Sequence, residues 1–196
     1  MSDINFNQFD KKDFIKTSLT LFVLTLVAAL CLGLTNIFTQ TKIEQNIMSE
    51  READMRKIIA DADDFTKVSD YSPQPQSLVR EIYTAKKEGE VIGYAVMSEV
   101  QGFSGALSLV VGIDTAGAVI GYEVMQSTET PGLGSKVAEE PFKSRFTGKN
   151  DILKLTKSPA PGTSEISAIS GATISSKAVL DGVNAAIEAV KAQINP

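Results

Sequence analysis

The stretch Ser170-Gly171-Ala172-Thr173-Ile174-Ser175-Ser176 lies between an irregular segment of small residues and a helix predicted to run from Ile174 to Ile194. Gly171 and Ala172 leave the backbone uncovered, and three hydroxyl side chains follow at the entrance to the helix. The first turn of a helix has unpaired N–H groups and the positive end of the dipole, so this stretch suits a phosphate. An ordinary N-cap has the same composition, because serine and threonine are preferred there regardless of function.

A second loop, upstream of the first, is rich in glycine: Glu129-Thr130-Pro131-Gly132-Leu133-Gly134. It follows a predicted strand, where the backbone must turn sharply and approach a neighbour closely. Glycines leave backbone amides uncovered, so close contact with a bound group is one interpretation of this loop. A Pro-Gly turn in an ordinary loop has the same composition, so both interpretations remain open for this loop alone.

The composition excludes several classes of function. The chain has no histidine, which excludes Ser-His-Asp and Cys-His catalysis and histidine-ligated metal or haem. Its single cysteine, Cys31, allows neither an internal disulfide nor an iron–sulfur cluster. The net charge of −5 argues against nucleic acid as a partner. We expect no catalytic residue and no metal site in this chain, and a redox role would require an organic cofactor.

Residues 17–41 carry no charge and are predicted to form a transmembrane anchor helix. Such a helix rises about 37 Å, enough to cross a hydrocarbon core about 30 Å thick. The alternatives are a buried core helix, which is normally shorter and has a polar stripe, and a signal peptide, which needs a small-x-small cleavage site. Three lysines precede the span, and Lys42 alone follows closely. This bias predicts a cytoplasmic segment 1–16 and a C-terminal domain on the extracytoplasmic side of the cell (inner) membrane.

Residues 42–70 are predicted to form a connecting helix, whose helical pattern of apolar residues continues to about Asp64. Residues 71–196 are predicted to form one α+β domain. Turn-forming residues separate four apolar runs, which predict an antiparallel sheet: Leu78–Ala85, Val91–Val100, Ala106–Ile113 and Ala118–Met125. A short helix is predicted over Glu139–Phe146 and a strand over Ile152–Leu155.

The final helix is predicted to pack on this sheet. Its apolar side chains recur at steps of three and four residues, which places them on one face: Leu180, Val183, Ile187 and Val190. We expect this packing to fix the turn at Thr173 in place. The fold class is therefore α+β, with a single N-terminal transmembrane helix and one antiparallel-sheet domain with packing helices.

The two loops resemble known sequence motifs, as do four further stretches: Gly93-Tyr94-Ala95, Gly102-Phe103-Ser104-Gly105, Val111-Gly112-Ile113-Asp114 and Ser175-Ser176-Lys177-Ala178-Val179. Together with the anchor helix, they resemble the FMN-binding domain family found in the G subunit of Rnf-type electron transport complexes and in the C subunit of sodium-pumping quinone reductases. The resemblance covers nearly the whole chain. The short length of the chain is more similar to that of the G subunit than to that of the longer quinone-reductase subunit.

The resemblance implies that the hydroxyl of Thr173 carries FMN through a phosphoester bond. A separate flavin transferase would move FMN from FAD onto this hydroxyl, with a divalent metal. The resemblance also implies that the glycine loop lies against the flavin ring, while Lys177, one turn from Thr173, could neutralise the phosphate. The expected cofactor-binding residues are Thr173, Ser170, Gly171, Ala172, Ser175, Ser176, Lys177, Glu129, Thr130, Gly132, Leu133 and Gly134.

The implied function is electron relay within an Rnf-type ferredoxin:NAD oxidoreductase complex that is coupled to ion translocation. The implied partners are other membrane and peripheral subunits, the flavin transferase and the lipid bilayer. Two positions depart from the family pattern: Ser127 stands where a histidine is frequent, and Ser167 where an aspartate is common. The alternatives are a membrane-tethered scaffold or assembly subunit of the same fold without covalent flavin, and the C subunit of a sodium-pumping NADH:quinone reductase.

Overall fold

The computed structural model describes residues 11–194, with the side chains of residues 14–36 and 48–194. Its first element is the helix α1, Lys11–Ile58. The chain divides into two compact units between Ser49 and Glu50. The predicted cytoplasmic segment 1–16 lies mostly outside the described residues, as do the last two residues of the predicted domain.

The first unit contains the apolar part of α1. Within the described residues, Phe14–Asn36 is long and apolar enough to cross a membrane, with a mean hydropathy of 2.3 and no burial against the protein. The hydroxyls of Thr20 and Thr35 donate to backbone carbonyls one turn earlier in the helix, at 2.8 Å each. These polar groups are thereby satisfied without water, as a hydrocarbon environment requires.

The second unit is built on a five-stranded antiparallel sheet with the strand order β1-β2-β3-β4-β5. Its strands are β1 Asp64–Lys67, β2 Val79–Lys87, β3 Glu90–Gln101, β4 Ala106–Asp114 and β5 Val119–Ser127. The four strands predicted from the apolar runs are confirmed as β2 to β5. The helical pattern expected to reach Asp64 was too long, since α1 ends at Ile58 and β1 follows. This strand was not predicted, because four residues at a sheet edge are too few to show a period of two.

Two of the hairpins turn within the gaps between the predicted strands. Glu88 and Gly89 join β2 to β3 with φ angles of 51° and 86°, the left-handed pair that a two-residue type I′ turn requires. In the hairpin of β4 and β5, Oδ1 of Asp114 accepts hydrogen bonds from the N–H groups of Ala116 and Ala118 at 2.9 and 2.8 Å. These local bonds fix the register of the strands that lead to the glycine loop.

The helix α3, Thr173–Ile194, packs on one face of the sheet. Alternate side chains of the strands meet it, because successive residues of a strand point to opposite faces. The buried residues of this layer include Ile82, Val96, Leu107, Leu109, Val111, Leu180, Val183, Ile187 and Val190. The predicted apolar face of the last helix is thus confirmed.

The opposite face of the sheet is covered by the end of α1, with Met55 and Ile59 buried there. The strands contribute the other alternate set to this layer: Tyr83, Ala85, Ala95, Met97 and Val110. Gly112 allows close approach, because a Cβ atom there would lie 2.5 Å from Cγ2 of Ile58. Burial on both faces explains why the strands appear in the sequence as continuous apolar runs.

Short elements connect β5 to α3. They are a 3₁₀ helix at Gly134–Ala138, the helix α2 at Glu140–Lys143, and the strands β6 Lys154–Thr156 and β7 Glu165–Ser167, which pair in parallel. The helix predicted over Glu139–Phe146 is therefore a single turn, and the strand predicted over Ile152–Leu155 lies slightly later as β6. The strand β7 was not predicted, since three residues give no periodic signal.

An ion cluster on Glu81 ties the end of α1 to the sheet edge. Its carboxylate accepts hydrogen bonds from Arg51 at 2.9 Å, Lys67 at 2.8 Å and Tyr83 at 2.7 Å. Burial alone would raise the pKa of this carboxyl, but the hydrogen bonds from Lys67 and Tyr83 and the charge of Arg51 outweigh it. The pKa of Glu81 is therefore lowered.

We expect Glu81→Gln to lower the free energy of unfolding by about 1 kcal/mol at neutral pH. Because the folded-state pKa is lowered, this stabilisation is present above the unfolded pKa of about 4.3 and is lost as the pH falls through the folded value. Urea unfolding of the full chain in detergent at pH 7 and pH 3.5 measures it, with the exposed Glu188→Gln as control. A difference from wild type that persists unchanged at pH 3.5 would contradict the prediction.

Candidate functional site

The start of α3 leaves its backbone amides without a side-chain cap. The N–H of Ser176 donates to the carbonyl of Ala172 at 2.9 Å, which makes Ala172 the N-cap residue. Thr173, Ile174 and Ser175 then form the first turn. Since alanine has no side-chain oxygen, the N-cap interpretation of this motif is not supported, and the first-turn N–H groups are available to a ligand.

The three hydroxyls of the motif have different environments. Oγ of Ser176 accepts from the N–H of Ile169 at 3.1 Å and donates to the carbonyl of Ala172 at 2.8 Å. Oγ of Ser175 donates to Oε2 of Glu129 at 3.0 Å, and both serines are buried. Thr173 is exposed, and its hydroxyl has no hydrogen-bond partner among the described residues. Of the three, the Thr173 oxygen alone is exposed and unengaged.

The glycine loop is closed by its own backbone. The carbonyl of Thr130 accepts from the N–H groups of Leu133 and Ser135, each at 3.2 Å. Gly132 has a φ angle of 77°, which a residue with a side chain adopts only with strain. A Cβ atom on the buried Gly134 would lie 2.1 Å from Oε2 of Glu129. The glycine at position 134 therefore makes room for a carboxylate, a requirement that the sequence did not indicate.

We expect Gly134→Ala to destabilise the domain by about 1–3 kcal/mol, because the new methyl group overlaps the Glu129 carboxylate and must displace it. The matched control is Gly162→Ala, where the nearest atom to a new Cβ is 3.5 Å away. Urea unfolding of the two variants in detergent provides the comparison. Equal stability of both would show that the loop adjusts without cost.

A pocket of about 380 Å³ lies between the glycine loop and the start of α3. Its lining includes eight of the residues predicted from the sequence: Glu129, Thr130, Leu133, Gly134, Gly171, Ala172, Thr173 and Ser175. Phe103 and Ile174 also line it and were not predicted as site residues. The two predicted segments, separated in sequence, thus meet at one cavity.

The mouth of this pocket is apolar. Phe103, Leu133 and Ile174 are 69%, 48% and 54% exposed, in contrast to the buried aliphatic side chains of the core. Each comes from a different segment of the chain. Exposed apolar side chains that converge on one cavity are typical of a site for an apolar or aromatic ligand.

Four predicted site residues do not line the pocket. Ser170 is exposed in the turn before α3, and Gly132 lies in the glycine loop. Ser176 is buried, and its hydroxyl donates to the carbonyl of Ala172. Nζ of Lys177 pairs with Oδ2 of Asp181 at 2.5 Å, further along α3. In this arrangement Lys177 is engaged away from the start of the helix.

The two positions that depart from the family pattern both serve loop structure. Oγ of Ser127 accepts from the N–H of Glu129 at 3.1 Å. The hydroxyl of Ser167 donates to the carbonyl of Ser158 at 2.5 Å, and its own carbonyl accepts from Arg145 at 2.6 Å. Among the described residues, no group of three or more metal-ligating side chains comes together.

Residues 102–188, which contain both loops of the pocket and the start of α3, match the FMN-binding domain family. The G subunit of the Na⁺-translocating ferredoxin:NAD⁺ oxidoreductase complex of Acetobacterium woodii is 34% identical over 194 residues, covering 92% of this chain and 93% of that protein. The G subunit of the ion-translocating oxidoreductase complex of Methanosarcina acetivorans is 33% identical over 187 residues, covering 94% and 98%. The chain belongs to this family of G subunits.

Solved structures share the fold. The C subunit of a Na⁺-translocating NADH-quinone reductase from Parabacteroides distasonis has a TM-score of 0.50 at 24% identity, covering 59% of this chain and 63% of that one. NqrC of Shewanella oneidensis has a TM-score of 0.51 at 17% identity, covering 68% and 73%. At these identities the similarity supports the fold alone, and the expected α+β class is confirmed.

Proposed function

We propose that this chain is the membrane-anchored flavoprotein subunit of an ion-translocating oxidoreductase complex and that it carries FMN covalently on the hydroxyl of Thr173. The observation that carries the proposal is the environment of this hydroxyl. It stands exposed and unengaged at an uncapped helix start, beside a pocket with an apolar mouth.

The residues of the site suit the two ends of FMN. The phosphate requires N–H donors and positive potential, which the first turn of α3 supplies because Ala172 caps none of its amides. The turn before this helix passes through Gly171, whose φ angle of 80° favours glycine. The isoalloxazine requires an apolar slot, which Phe103, Leu133 and Ile174 surround.

The attachment would transfer the FMN phosphoryl group from FAD to the hydroxyl of Thr173. The Thr173 oxygen would form the Oγ–P bond to the FMN phosphorus of FAD as the P–O–P anhydride bond breaks and AMP leaves. The flavin transferase would take the hydroxyl proton, and its divalent metal would neutralise the leaving phosphate. This chain contributes an accessible nucleophile and needs no base of its own.

Once bound, FMN supplies reversible uptake and release of electrons. The residues of this chain orient its ring and limit its contact with water. The relative in Acetobacterium woodii is named for ferredoxin:NAD⁺ oxidoreduction coupled to Na⁺ translocation, and we assign this chain an electron relay between partner subunits of such a complex. Those partners provide the ferredoxin site, the nicotinamide site and the ion pathway.

With this function, the chain would be a single-pass protein of the cell (inner) membrane. Phe14–Asn36 would lie in the lipid bilayer. Three lysines at the N-terminal end of this helix, Lys11, Lys12 and Lys16, support a cytoplasmic N-terminus and a flavin domain on the extracytoplasmic side. Covalent attachment suits that side, because a dissociated flavin would be diluted outside the cell.

The test is intact mass and peptide mapping of the protein purified from its native membrane. An FMN-sized increment on the peptide that contains Thr173 would support a covalent flavoprotein. An unmodified peptide in a fully assembled complex would instead support the alternative of a membrane-tethered scaffold. An increment on another peptide would move the attachment site and overturn the assignment to Thr173.

A further inference from the structure

Glu129 is a buried carboxylate that connects the segments around the pocket. It is 7% exposed. Oε1 accepts from the N–H of Phe103 at 2.6 Å and from that of Ser104 at 3.4 Å, and Oε2 accepts from the hydroxyl of Ser175 at 3.0 Å. In each of these bonds a carboxylate oxygen of Glu129 is the acceptor. One side chain thus holds the loop after β3, the glycine loop and the first turn of α3.

Two glycines fix the position of this carboxylate from opposite ends. A Cβ atom on Gly102 would lie 2.1 Å from Oε1, and one on Gly134 would lie 2.1 Å from Oε2. The backbone therefore closes on both oxygens, and the side chain has little room to move. The surface bond between the hydroxyls of Ser104 and Thr130, at 3.3 Å, is another side-chain link between these two loops, and its exposure to water makes it the weaker link.

We propose that Glu129 is a positioning residue that holds three pocket segments in the arrangement that receives the flavin ring, acting through Phe103 and Ser175. The inference rests on the proposed function, since it names how the flavin pocket is kept open. Phe103, which forms one wall, is placed by the bond from its own N–H. Ser175, two residues after Thr173, fixes the helix start against the glycine loop.

The charge of Glu129 stabilises this arrangement more than a neutral acceptor would. Hydrogen bonds to charged groups are roughly twice as strong as those between neutral groups. Removing the carboxylate also leaves two backbone N–H groups without their acceptor. The loop after β3 would then be free to leave the pocket while the sheet and α3 remain packed.

The first experiment uses the full chain in detergent micelles, produced without flavin transferase, so that no flavin is bound. Hydrogen exchange is measured on the peptide containing Phe103 and Ser104. We expect Glu129→Ala to speed exchange of these amides about tenfold or more. An amide exchanges only when its hydrogen bond opens, and this variant lacks the charged acceptor that keeps the bond closed. Glu129→Gln keeps an acceptor for Phe103 and a donor for Ser175, so it should restore part of the protection, less than the charged carboxylate gives.

The matched control is Glu139→Gln, a nearby carboxylate on an exposed residue, which should leave exchange unchanged. Should Glu129→Ala fail to fold, Ser175→Ala removes the bond to α3 alone and Gly102→Ala displaces the carboxylate. Faster exchange of the Phe103 peptide in these variants would support the proposal. Wild-type exchange in Glu129→Ala, or in both substitute variants, would overturn it.

The second experiment uses flavin-loaded protein and reads the visible circular dichroism of the bound ring, which a purely global loss of stability would not change. We expect an altered spectrum in Glu129→Ala and a near-normal one in Glu129→Gln. An unchanged spectrum in Glu129→Ala would contradict the positioning role. The two proposals can fail separately. If the Thr173 peptide of the wild-type protein lacks the FMN mass increment, the attachment site is contradicted. Hydrogen exchange of the Phe103 peptide, measured in protein without flavin, tests the role of Glu129 alone.

Discussion

Thr173→Ala is expected to abolish covalent flavin completely. The substitution removes the oxygen that forms the bond to phosphorus, and the buried hydroxyls of Ser175 and Ser176 are held in other hydrogen bonds. Fluorescence of the protein band in a denaturing gel should disappear, and the intact mass should fall by the FMN increment. Stability should change by less than about 0.5 kcal/mol, because Thr173 is exposed and alanine is the better helix former.

Two variants make this result specific. Thr163→Ala removes an exposed threonine hydroxyl from the preceding loop and should retain the fluorescent band. Thr173→Ser keeps an oxygen at the attachment position and should retain some modification if the hydroxyl itself is the acceptor. A fluorescent band in Thr173→Ala, with an unchanged mass increment, would show that the flavin is attached elsewhere.

Phe146→Ala should cause a large loss of stability, about 3–5 kcal/mol. Phe146 is fully buried and makes edge-to-face contacts with Tyr122 and Phe142, with ring centroids 5.3 and 5.4 Å apart. The hydroxyl of Tyr122 donates to the carbonyl of Val137 at 2.5 Å, and burial raises the pKa of this tyrosine. The aromatic cluster therefore anchors the 3₁₀ helix that follows the glycine loop.

Urea unfolding of the full chain in detergent measures this loss. The matched control is Phe103→Ala, which removes the same side chain from the exposed mouth of the pocket and should change stability by less than about 0.5 kcal/mol. A loss of similar size in both variants would indicate that Phe103 contributes to the core. A loss below about 1 kcal/mol in Phe146→Ala would mean that the cluster repacks around the cavity.

The fold could be predicted where long elements carry a repeated pattern. The strands β2 to β5 have nine or more residues each, and residues suited to tight turns separate them. The face of α3 followed from apolar residues at helical spacing. The strands β1 and β7 were missed because they have four and three residues and owe their conformation to pairing partners.

The site was predictable only as far as its residues are adjacent in sequence. The two loops were identified because each concentrates glycines, hydroxyls or a proline in a few positions. Phe103 and Ile174 were missed as site residues, since an exposed apolar side chain has no local signature. The role proposed for Glu129 rests on contacts 25, 26 and 46 residues away along the chain, which no local pattern contains.

Ala172 at the N-cap of α3 has an evolutionary consequence. Aspartate, asparagine or serine at such a position typically adds about 1 kcal/mol of stability by accepting an amide hydrogen of the first turn. That same oxygen would compete with a phosphate for the amides. A chain selected for thermal robustness alone would acquire the capping residue, whereas alanine leaves this stability unused. Under the proposed attachment at Thr173, the domain therefore forgoes this folding free energy and keeps its first-turn amides free for the phosphate.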